Sequence, residues 1–291
     1  MIPPYNKPPL AFMGNKKNMI NNFNKILDEL HYQGSINENT VFYDIFGGSG
    51  LLSHALKYKF KQNRVIWNDY DDFNKRLEHI EETEALRVRL ATLMSALKKQ
   101  KQDRIDGADL EKVKDILKTH KGFFDCIQLS SWLCFSGNYL ENKAAFLKQK
   151  CFYQRLSFSK LNAKGYLKGV ERVQMDYKEL IKKAYDESGE KAFLILDPPY
   201  LQTQKQHYKG KFWGIKDFLW LLTQVREDRF IFFSSEASDI LEFLEFVNDD
   251  KNIKNLKNLK NLHFERANIY LASRNGDFAF YKKSAGLFEG L

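Results

Sequence analysis

One short stretch restricts the possible folds of this chain most: an apolar run, residues 192–196, that leads directly into Asp197-Pro198-Pro199-Tyr200. Five apolar residues in succession are typical of a strand buried on both faces of a parallel sheet. Two successive prolines fix φ and exclude a helix, so the strand must end in a rigid turn. Because ligands of open parallel sheets bind at the carboxyl ends of the strands, the turn predicts an α/β fold with a binding site at residues 197–200.

The turn also presents a specific set of chemical groups. The Asp197 carboxylate and the Pro198 carbonyl are two acceptors, which match the two hydrogens of an exocyclic amine. The Tyr200 ring offers a face on which a base can stack. The alternative, a Pro-Pro turn that ends in a surface aspartate, is disfavoured by the buried strand before it and by a glycine-rich loop upstream.

The glycine-rich loop is residues 44–50, Asp-Ile-Phe-Gly-Gly-Ser-Gly, between a strand at 40–45 and a helix that begins near Leu51. Glycines at such a place let backbone amides approach a ligand, and the helix N-terminus adds a positive end. Asp69 ends the next strand, at 64–68, where a carboxylate can accept both hydroxyl hydrogens of a ribose. Together they predict a nucleoside-containing cofactor, although a nicotinamide-binding protein or a ligand-free tight turn would also explain the glycines.

The remaining pattern divides the chain into a core and an insertion. Residues 72–165 are first charged and helix-prone and then aromatic and basic, and we interpret them as inserted into the core. The elements predicted for the core are a helix at 17–30, a strand at 170–175, a helix at 216–226, a strand at 230–233, a helix at 237–248 and an antiparallel hairpin at 267–271 and 277–282. Residues 251–262 are a low-complexity Asn/Lys/Leu run to which we assign no chemistry.

Composition narrows the partners. A net charge of +9 and a pI of about 9.2 favour a polyanionic partner, although a Lys-rich soluble protein would show the same balance. The three cysteines lack CxxC spacing and the histidines lack HxxxH spacing, so we expect no metal site and interpret the cysteines as packing residues. No apolar run approaches the roughly 18 residues of a membrane span, and we expect a cytoplasmic protein without a membrane partner.

These features, in this order, resemble one family: the Dam-like, D12-class N6-adenine DNA methyltransferases. Residues 8–16 look like the family's N-terminal cofactor motif, with Phe12 where the family commonly has Trp and Asn15 in place of a glycine. Residues 173–177 look like the strand end that holds the adenine of the cofactor, and residues 266–277 resemble the closing hairpin. The site residues that the resemblance implies are catalytic Asp197, Pro198, Pro199 and Tyr200, and cofactor-binding Phe12, Lys16, Asp44, Phe46, Gly48, Gly50, Asp69, Asp176, Tyr177 and Asp197.

The resemblance also implies an architecture. We expect a Rossmann-like, mostly parallel methyltransferase sheet with an antiparallel C-terminal hairpin in residues 1–71 and 166–291. Residues 72–165 would form an inserted, mainly helical target-recognition domain. Its candidate DNA contacts are residues 136–139 and 151–160, where aromatic side chains alternate with Arg and Lys.

The activity that the resemblance implies is methyl transfer from S-adenosyl-L-methionine to the N6 amine of an adenine flipped out of double-stranded DNA, without a metal or a covalent intermediate. A single recognition module is compatible with a monomer. The sequence leaves open which site is read, and whether the role is restriction-modification, phage self-protection or repair marking. Three alternatives also remain open: a cytosine or RNA amine as acceptor, a non-catalytic DNA-binding protein on the same fold, and a nicotinamide oxidoreductase.

Overall fold

A computed structural model describes residues 4–135, 138–199, 213–225, 229–235, 268–271 and 277–281. The chain forms two compact units. The first contains Met1–Lys7, Lys16–Asp71 and Leu167–Leu291, and the second contains Pro8–Asn15 and Asp72–Tyr166. The second unit contains Tyr166 and Pro8–Asn15, which the sequence analysis placed in the core. Within this unit, Ala11 N donates a 2.6 Å hydrogen bond to Gln128 Oε1, which ties Pro8–Asn15 to it.

The first unit is built on a sheet in which the structure describes seven strands. Their order across the sheet is β5 (Glu171–Val173), β2 (Val65–Asn68), β1 (Val41–Asp44), β6 (Ala192–Leu196), β7 (Phe230–Ser235), β9 (Asp277–Tyr281) and β8 (Asn268–Leu271). The first five are parallel, whereas β9 pairs antiparallel with both β7 and β8. The predicted mostly parallel sheet with an antiparallel C-terminal hairpin is therefore confirmed.

Helices cover both faces of this sheet. The helices α1 (Ile20–Tyr32) and α2 (Leu51–Lys59) pack on one face, against alternate residues such as Phe42 of β1 and Phe193 of β6. The helices α8 (Tyr177–Ser188) and α9 (Ile215–Leu222) pack on the other face, against the intervening residues of the same strands. Because β6 is buried on both faces, all five of its residues are apolar, as the run at 192–196 predicted.

The second unit has a separate core. Its elements are α3 (Phe73–Glu78), α4 (Ile80–Ala96), β3 (Arg104–Ile105), α5 (Gly107–Thr119), α6 (Cys126–Leu133), α7 (Lys143–Leu147) and β4 (Phe152–Tyr153). The helices α4, α5 and α6 contribute most of the buried apolar side chains, and β3 pairs antiparallel with β4. The unit is mainly helical, as predicted, with a small two-stranded sheet that the sequence did not indicate.

Two predicted features lie outside the described residues: the helix at 237–248 and the low-complexity run at 251–262. In the part of the chain that the structure describes, no helix combines the length and apolar character needed to cross a membrane.

A buried asparagine fixes the carboxyl ends of three adjacent strands. Asn68, the last residue of β2, donates to Ile45 O and to Met175 O, and its Oδ1 accepts from Met175 N, all at 3.0–3.1 Å. These bonds join the segments that follow β1 and β5 to the end of β2. A buried amide that makes three hydrogen bonds specifies one geometry, so the loops after these strands begin from fixed positions.

Candidate active site

Four acidic residues follow or end neighbouring parallel strands at one edge of the sheet. Asp44 ends β1, Asp69 follows β2, Asp176 lies beyond β5 and Asp197 follows β6. The crossover through α2 lies on one face and the crossover through α8 on the other, so the strand order changes direction between β1 and β6. Open α/β sheets bind ligands outside the carboxyl ends of strands at this switch point.

Lys16 and Asp197 form an ion pair at that switch point. Lys16 Nζ lies 2.8 Å from Asp197 Oδ1, and only 6% of the lysine side chain is exposed. Lys16 Nζ also lies 5.9 Å from the centre of the Phe233 ring on β7. A charge this deeply buried needs a counter-charge, so the pair fixes the position of the Asp197 carboxylate directly after β6.

Asp44, at the end of β1, is a third ionisable residue, and the charges of Lys16 and Asp197 both act on it. It is fully buried, and its Oδ2 accepts a 2.6 Å hydrogen bond from Ser53 Oγ on α2. Its Oδ1 has no hydrogen-bond partner among the described residues. Burial raises the pKa of the Asp44 carboxyl from 3.8 to about 7; the hydrogen bond from Ser53 and the charge of Lys16 oppose this shift, and the charge of Asp197 adds to it.

The glycine-rich loop lies against the indole of Trp67. A side chain at Gly47 would overlap Trp67, and one at Gly50, which has a φ of +75°, would lie 2.8 Å from Leu167. Close packing of the loop therefore requires these two glycines, in addition to any approach of a ligand. Trp67 is the register partner of Asp44, and its buried Nε1 has no acceptor in the part of the chain that the structure describes.

Asp69 is held by an arginine that sequence analysis did not single out. The Asp69 side chain is 0% exposed, and its Oδ2 accepts a 2.7 Å hydrogen bond from Arg172 Nε on β5, a side chain that is 39% exposed. The backbone N of Asp69 donates to Val173 O. The carboxylate is thus oriented by a neighbouring strand.

Aromatic side chains surround the ends of β1 and β5. The Phe46 ring lies 5.4 Å from Tyr177 and 5.5 Å from Trp213, and Tyr177 also contacts Trp220. Tyr177 Oη donates to Asp217 Oδ1 at 2.9 Å. Phe46 and Tyr177 were candidate site residues. Trp213, which precedes α9, and Trp220, within α9, were missed because they belong to no sequence motif.

The structure places several other predicted residues as follows. Asp176 is the N-cap of α8, since its carboxylate accepts from Lys178 N. Phe12 lies in the second unit and packs edge-to-face against Phe73. Pro198 is buried and Pro199 half-buried, Gly48 has a φ of +46°, and Tyr200 lies outside the described residues.

The recognition candidates separate into two classes. Phe152, Gln154 and Leu156 are buried, whereas Tyr153 and Arg155 alternate with them on a half-exposed face and residues 157–160 are exposed. Of the other candidates, Asn138 is exposed and Tyr139 half-buried, and residues 136–137 lie outside the described part of the chain. Only the exposed and half-exposed members of these segments are positioned to contact a partner.

No group of three or more His, Cys, Asp or Glu side chains is arranged to hold a metal ion in the described part of the chain. Cys134 lies in the core of the second unit, where burial raises the pKa of its thiol to about 11. That thiol is protonated at neutral pH, consistent with a packing role.

Comparison with known proteins identifies the family of this chain. The model of the D12 class N6 adenine-specific DNA methyltransferase family matches residues 12–262. The chain belongs to this family. It is also similar to a Haemophilus influenzae protein named "Putative methyltransferase", with 33% identity over 239 residues that cover 81% of this chain and 78% of the relative. The match spans the switch-point edge and the second unit alike, so both parts of the chain are family features.

The raised pKa of Asp44 predicts a pH-dependent stability. Because folding favours the protonated carboxyl, its contribution is complete below pH 4 and is lost as pH rises through about 7. The Asp44→Asn variant cannot ionise at this position. The wild type loses about 1.36 kcal/mol for each of the two pH units between pH 5 and the folded-state pKa of about 7. We therefore expect the free energy of unfolding of the variant, relative to that of the wild type, to increase by about 2.7 kcal/mol between pH 5 and pH 8.

Urea unfolding at the two pH values measures this difference. The Ser53→Ala variant serves as a control, because it lacks the hydrogen bond that lowers the pKa of Asp44. In this variant the decrease in stability with rising pH should continue to a higher pH than in the wild type. Parallel pH profiles for the wild type and Asp44→Asn would contradict this account of Asp44.

Proposed function

We propose that the protein transfers a methyl group from S-adenosyl-L-methionine to the N6 amine of an adenine that has left the stack of double-stranded DNA. The observation that carries this proposal is the Lys16–Asp197 pair, which fixes a carboxylate at the switch point next to the Pro198 carbonyl. Two fixed acceptors suit an exocyclic amine, and membership of the family supports adenine as the base that carries it.

The residues at the strand ends fit such a cofactor. Asp44 Oδ1 and Trp67 Nε1 are a buried acceptor and a buried donor that have no partner within the described residues. Asp69 supplies a carboxylate suited to two ribose hydroxyls, and Phe46 and Tyr177 supply apolar ring faces suited to a purine. We assign Lys16, Gly48, Gly50 and Asp176 to the same cofactor site on the family resemblance.

The protein's main task in the reaction is orientation. The bound cofactor supplies an electrophilic methyl group on a sulfonium, so the reaction needs no further activation of the donor. Asp197 and the Pro198 carbonyl accept the amine hydrogens and direct the nitrogen lone pair out of the hydrogen-bonding plane. Positive charge grows on that nitrogen as it attacks, so the carboxylate stabilises the transition state more than the ground state.

Lys16 acts through Asp197. Its ammonium group pairs with Asp197 Oδ1 and holds the carboxylate in one position, where it can accept hydrogen bonds. Tyr200 and Pro199 complete the predicted turn, and we assign Tyr200 to stacking on the adenine.

Charge supports DNA as the substrate. The chain carries a net charge of +9, and residues 138–166 of the second unit contain six Lys or Arg and one Glu. Phe135 and Phe158 are exposed aromatic side chains in the same unit. Aromatic rings among cations suit contact with bases and phosphates, so we assign target recognition to the second unit. A cytoplasmic location and a monomeric state remain predictions.

The role of Asp197 predicts loss of methyl transfer when its charge is removed. Asp197→Asn keeps the shape of the side chain but removes the negative charge of this acceptor and the ion pair with Lys16. We expect incorporation of tritiated methyl groups into duplex DNA to fall at least about 100-fold.

The matched control is Glu171→Gln. Glu171 is an exposed carboxylate of the same unit that pairs with Arg64 at the amino ends of the strands. This variant should retain the wild-type rate. An Asp197→Asn rate within about threefold of the wild type would rule out the assigned role.

The Arg172–Asp69 pair predicts that both residues affect cofactor binding. Asp69→Asn removes a charged acceptor, and Arg172→Gln releases the carboxylate from its orientation. Each should weaken S-adenosyl-L-methionine binding about tenfold in calorimetry, and the double variant should show less than the product of the two effects.

Arg64→Gln provides the control, since Arg64 also joins β2 to β5 but at their amino ends. It should leave cofactor affinity unchanged. If Asp69→Asn bound the cofactor as tightly as the wild type, the ribose assignment would be wrong.

A further inference from the structure

A single buried side chain joins the two segments that carry the aromatic candidates of the cofactor site. Asn68, the last residue of β2, is 2% exposed. Its Nδ2 donates to Ile45 O and to Met175 O, each at 3.0 Å, and its Oδ1 accepts from Met175 N at 3.1 Å. One amide therefore links the residue before Phe46 to the segment that leads into Tyr177.

Among side chains of this size, only asparagine can make this set of contacts. Its amide provides two donor hydrogens and an acceptor oxygen, and both hydrogens and the oxygen are used here. A carboxylate of the same shape would still accept from Met175 N, but it would face the carbonyls of Ile45 and Met175 with a negative charge. The chemistry of the residue, and not only its size, therefore determines the local geometry.

The contacts with Met175 extend the pairing of β2 with β5 beyond the last strand residue. The register of the two strands ends at Asn68 and Val173, and Asp69 N donates to Val173 O. The Asn68 side chain then pairs with both backbone polar groups of Met175. Asp176, the N-cap of α8, follows directly. A displacement of Met175 would therefore be transmitted to the start of α8.

The bond to Ile45 acts on the glycine-rich loop. Ile45 N donates to Ile195 O of β6 at 3.0 Å, so together with the Asn68 bond the backbone of Ile45 is held from both neighbouring strands. The Phe46 ring lies 5.4 Å from the Tyr177 ring, with an angle of 33° between their planes. The separation of these two rings therefore depends on backbone segments that Asn68 joins.

A second buried asparagine of the same unit makes similar contacts at the opposite edge of the sheet. Asn63, which precedes β2, is 6% exposed, and its Nδ2 donates to Asn37 O and to Thr40 O, each at 2.8 Å. These bonds tie the segment before β1 to the amino end of β2. Asn63 thus has the same side chain and similar burial and bonding, but it lies away from the carboxyl ends of the strands.

We propose that Asn68 is a positioning residue of the cofactor site and sets the separation between the segments of Phe46 and Tyr177, an inference that rests on the proposed function. Asn68 acts through the backbones of Ile45 and Met175, which use both of its donor hydrogens. Segments that are held in advance need not be ordered when the ligand binds, which improves affinity.

The first test compares Asn68→Ala with Asn63→Ala. Each substitution removes the bonds of one buried amide, so both variants should be less stable than the wild type in urea unfolding. We expect the affinity for S-adenosyl-L-methionine, measured by calorimetry, to fall about tenfold for Asn68→Ala and to stay within about twofold of the wild type for Asn63→Ala.

Kinetics separate positioning from a role in the transfer step. Asn68→Ala leaves the Lys16–Asp197 pair in place. In methyl transfer to duplex DNA, its KM for the cofactor should therefore rise about tenfold, while kcat at saturating cofactor stays within about threefold of the wild type.

A second variant tests the chemistry of the amide. Asn68→Asp keeps the shape and the acceptor for Met175 N but loses both donors, so at about pH 8 its cofactor affinity should also fall about tenfold. The same measurement replaces Asn68→Ala should that variant not fold.

Protonation of the introduced carboxyl restores one donor, and burial beside carbonyls favours the protonated form. We therefore expect the cofactor affinity of Asn68→Asp, divided by that of the wild type at the same pH, to rise as the pH is lowered from about 8 to about 6. Division by the wild-type value removes any pH dependence that the two proteins share. For Asn68→Ala, which has no group to protonate at this position, the ratio should be equal at both pH values.

The results separate this inference from the proposed function. Wild-type cofactor affinity in the Asn68 variants, an equal loss in Asn63→Ala, or a fall in kcat with KM unchanged would overturn the inference and leave the proposed function intact. An affinity ratio for Asn68→Asp that did not change with pH would overturn the role of the amide donors. If the wild type bound no S-adenosyl-L-methionine, both the inference and the proposed function would fail.

Discussion

The buried ion pair between Lys16 and Asp197 is the interaction on which the candidate site depends. It joins Lys16, in the segment before α1, to the residue that follows β6, and these two segments are far apart in sequence. A lysine side chain that is only 6% exposed needs an anion beside its ammonium group, so the pair constrains both backbones. The same two charges act in opposite directions on the pKa of Asp44: Asp197 raises it and Lys16 lowers it.

Most of the first unit could be predicted from its sequence, because its signals are local. The apolar run of β6, the short strands β1 and β2 and the start of α2 were predicted to within about one residue. The hairpin β8–β9 was also predicted. The helix α8 was not assigned, although Leu180, Ile181 and Ala184 have helical spacing and Asp176 caps its N-terminus. The strands β3 and β4 have two residues each, too few for a periodic pattern, and only their pairing defines them.

The sequence predicted the acidic residues of the candidate site but not the residues that pair with them. Asp44, Asp69 and Asp197 could be placed together because the carboxyl ends of parallel strands share one edge. Three tertiary contacts of the site have no sequence motif: Lys16 with Asp197, Arg172 with Asp69, and Trp67 with the glycine loop. The same holds for Phe12, which the N-terminal motif linked to the cofactor and which packs on Phe73 in the second unit. Alternating burial along residues 151–156 then decides which recognition candidates reach the surface.

The chemical claim that joins these features is that Asp197 and Pro198 hold the amine of an adenine. Nucleoside analysis tests it most directly: duplex DNA containing all four bases is incubated with the protein and isotopically labelled S-adenosyl-L-methionine, digested to nucleosides and separated by mass. The account predicts that the labelled methyl group appears in N6-methyldeoxyadenosine. Label in N4-methyldeoxycytidine, or label recovered only from an RNA substrate, would contradict it.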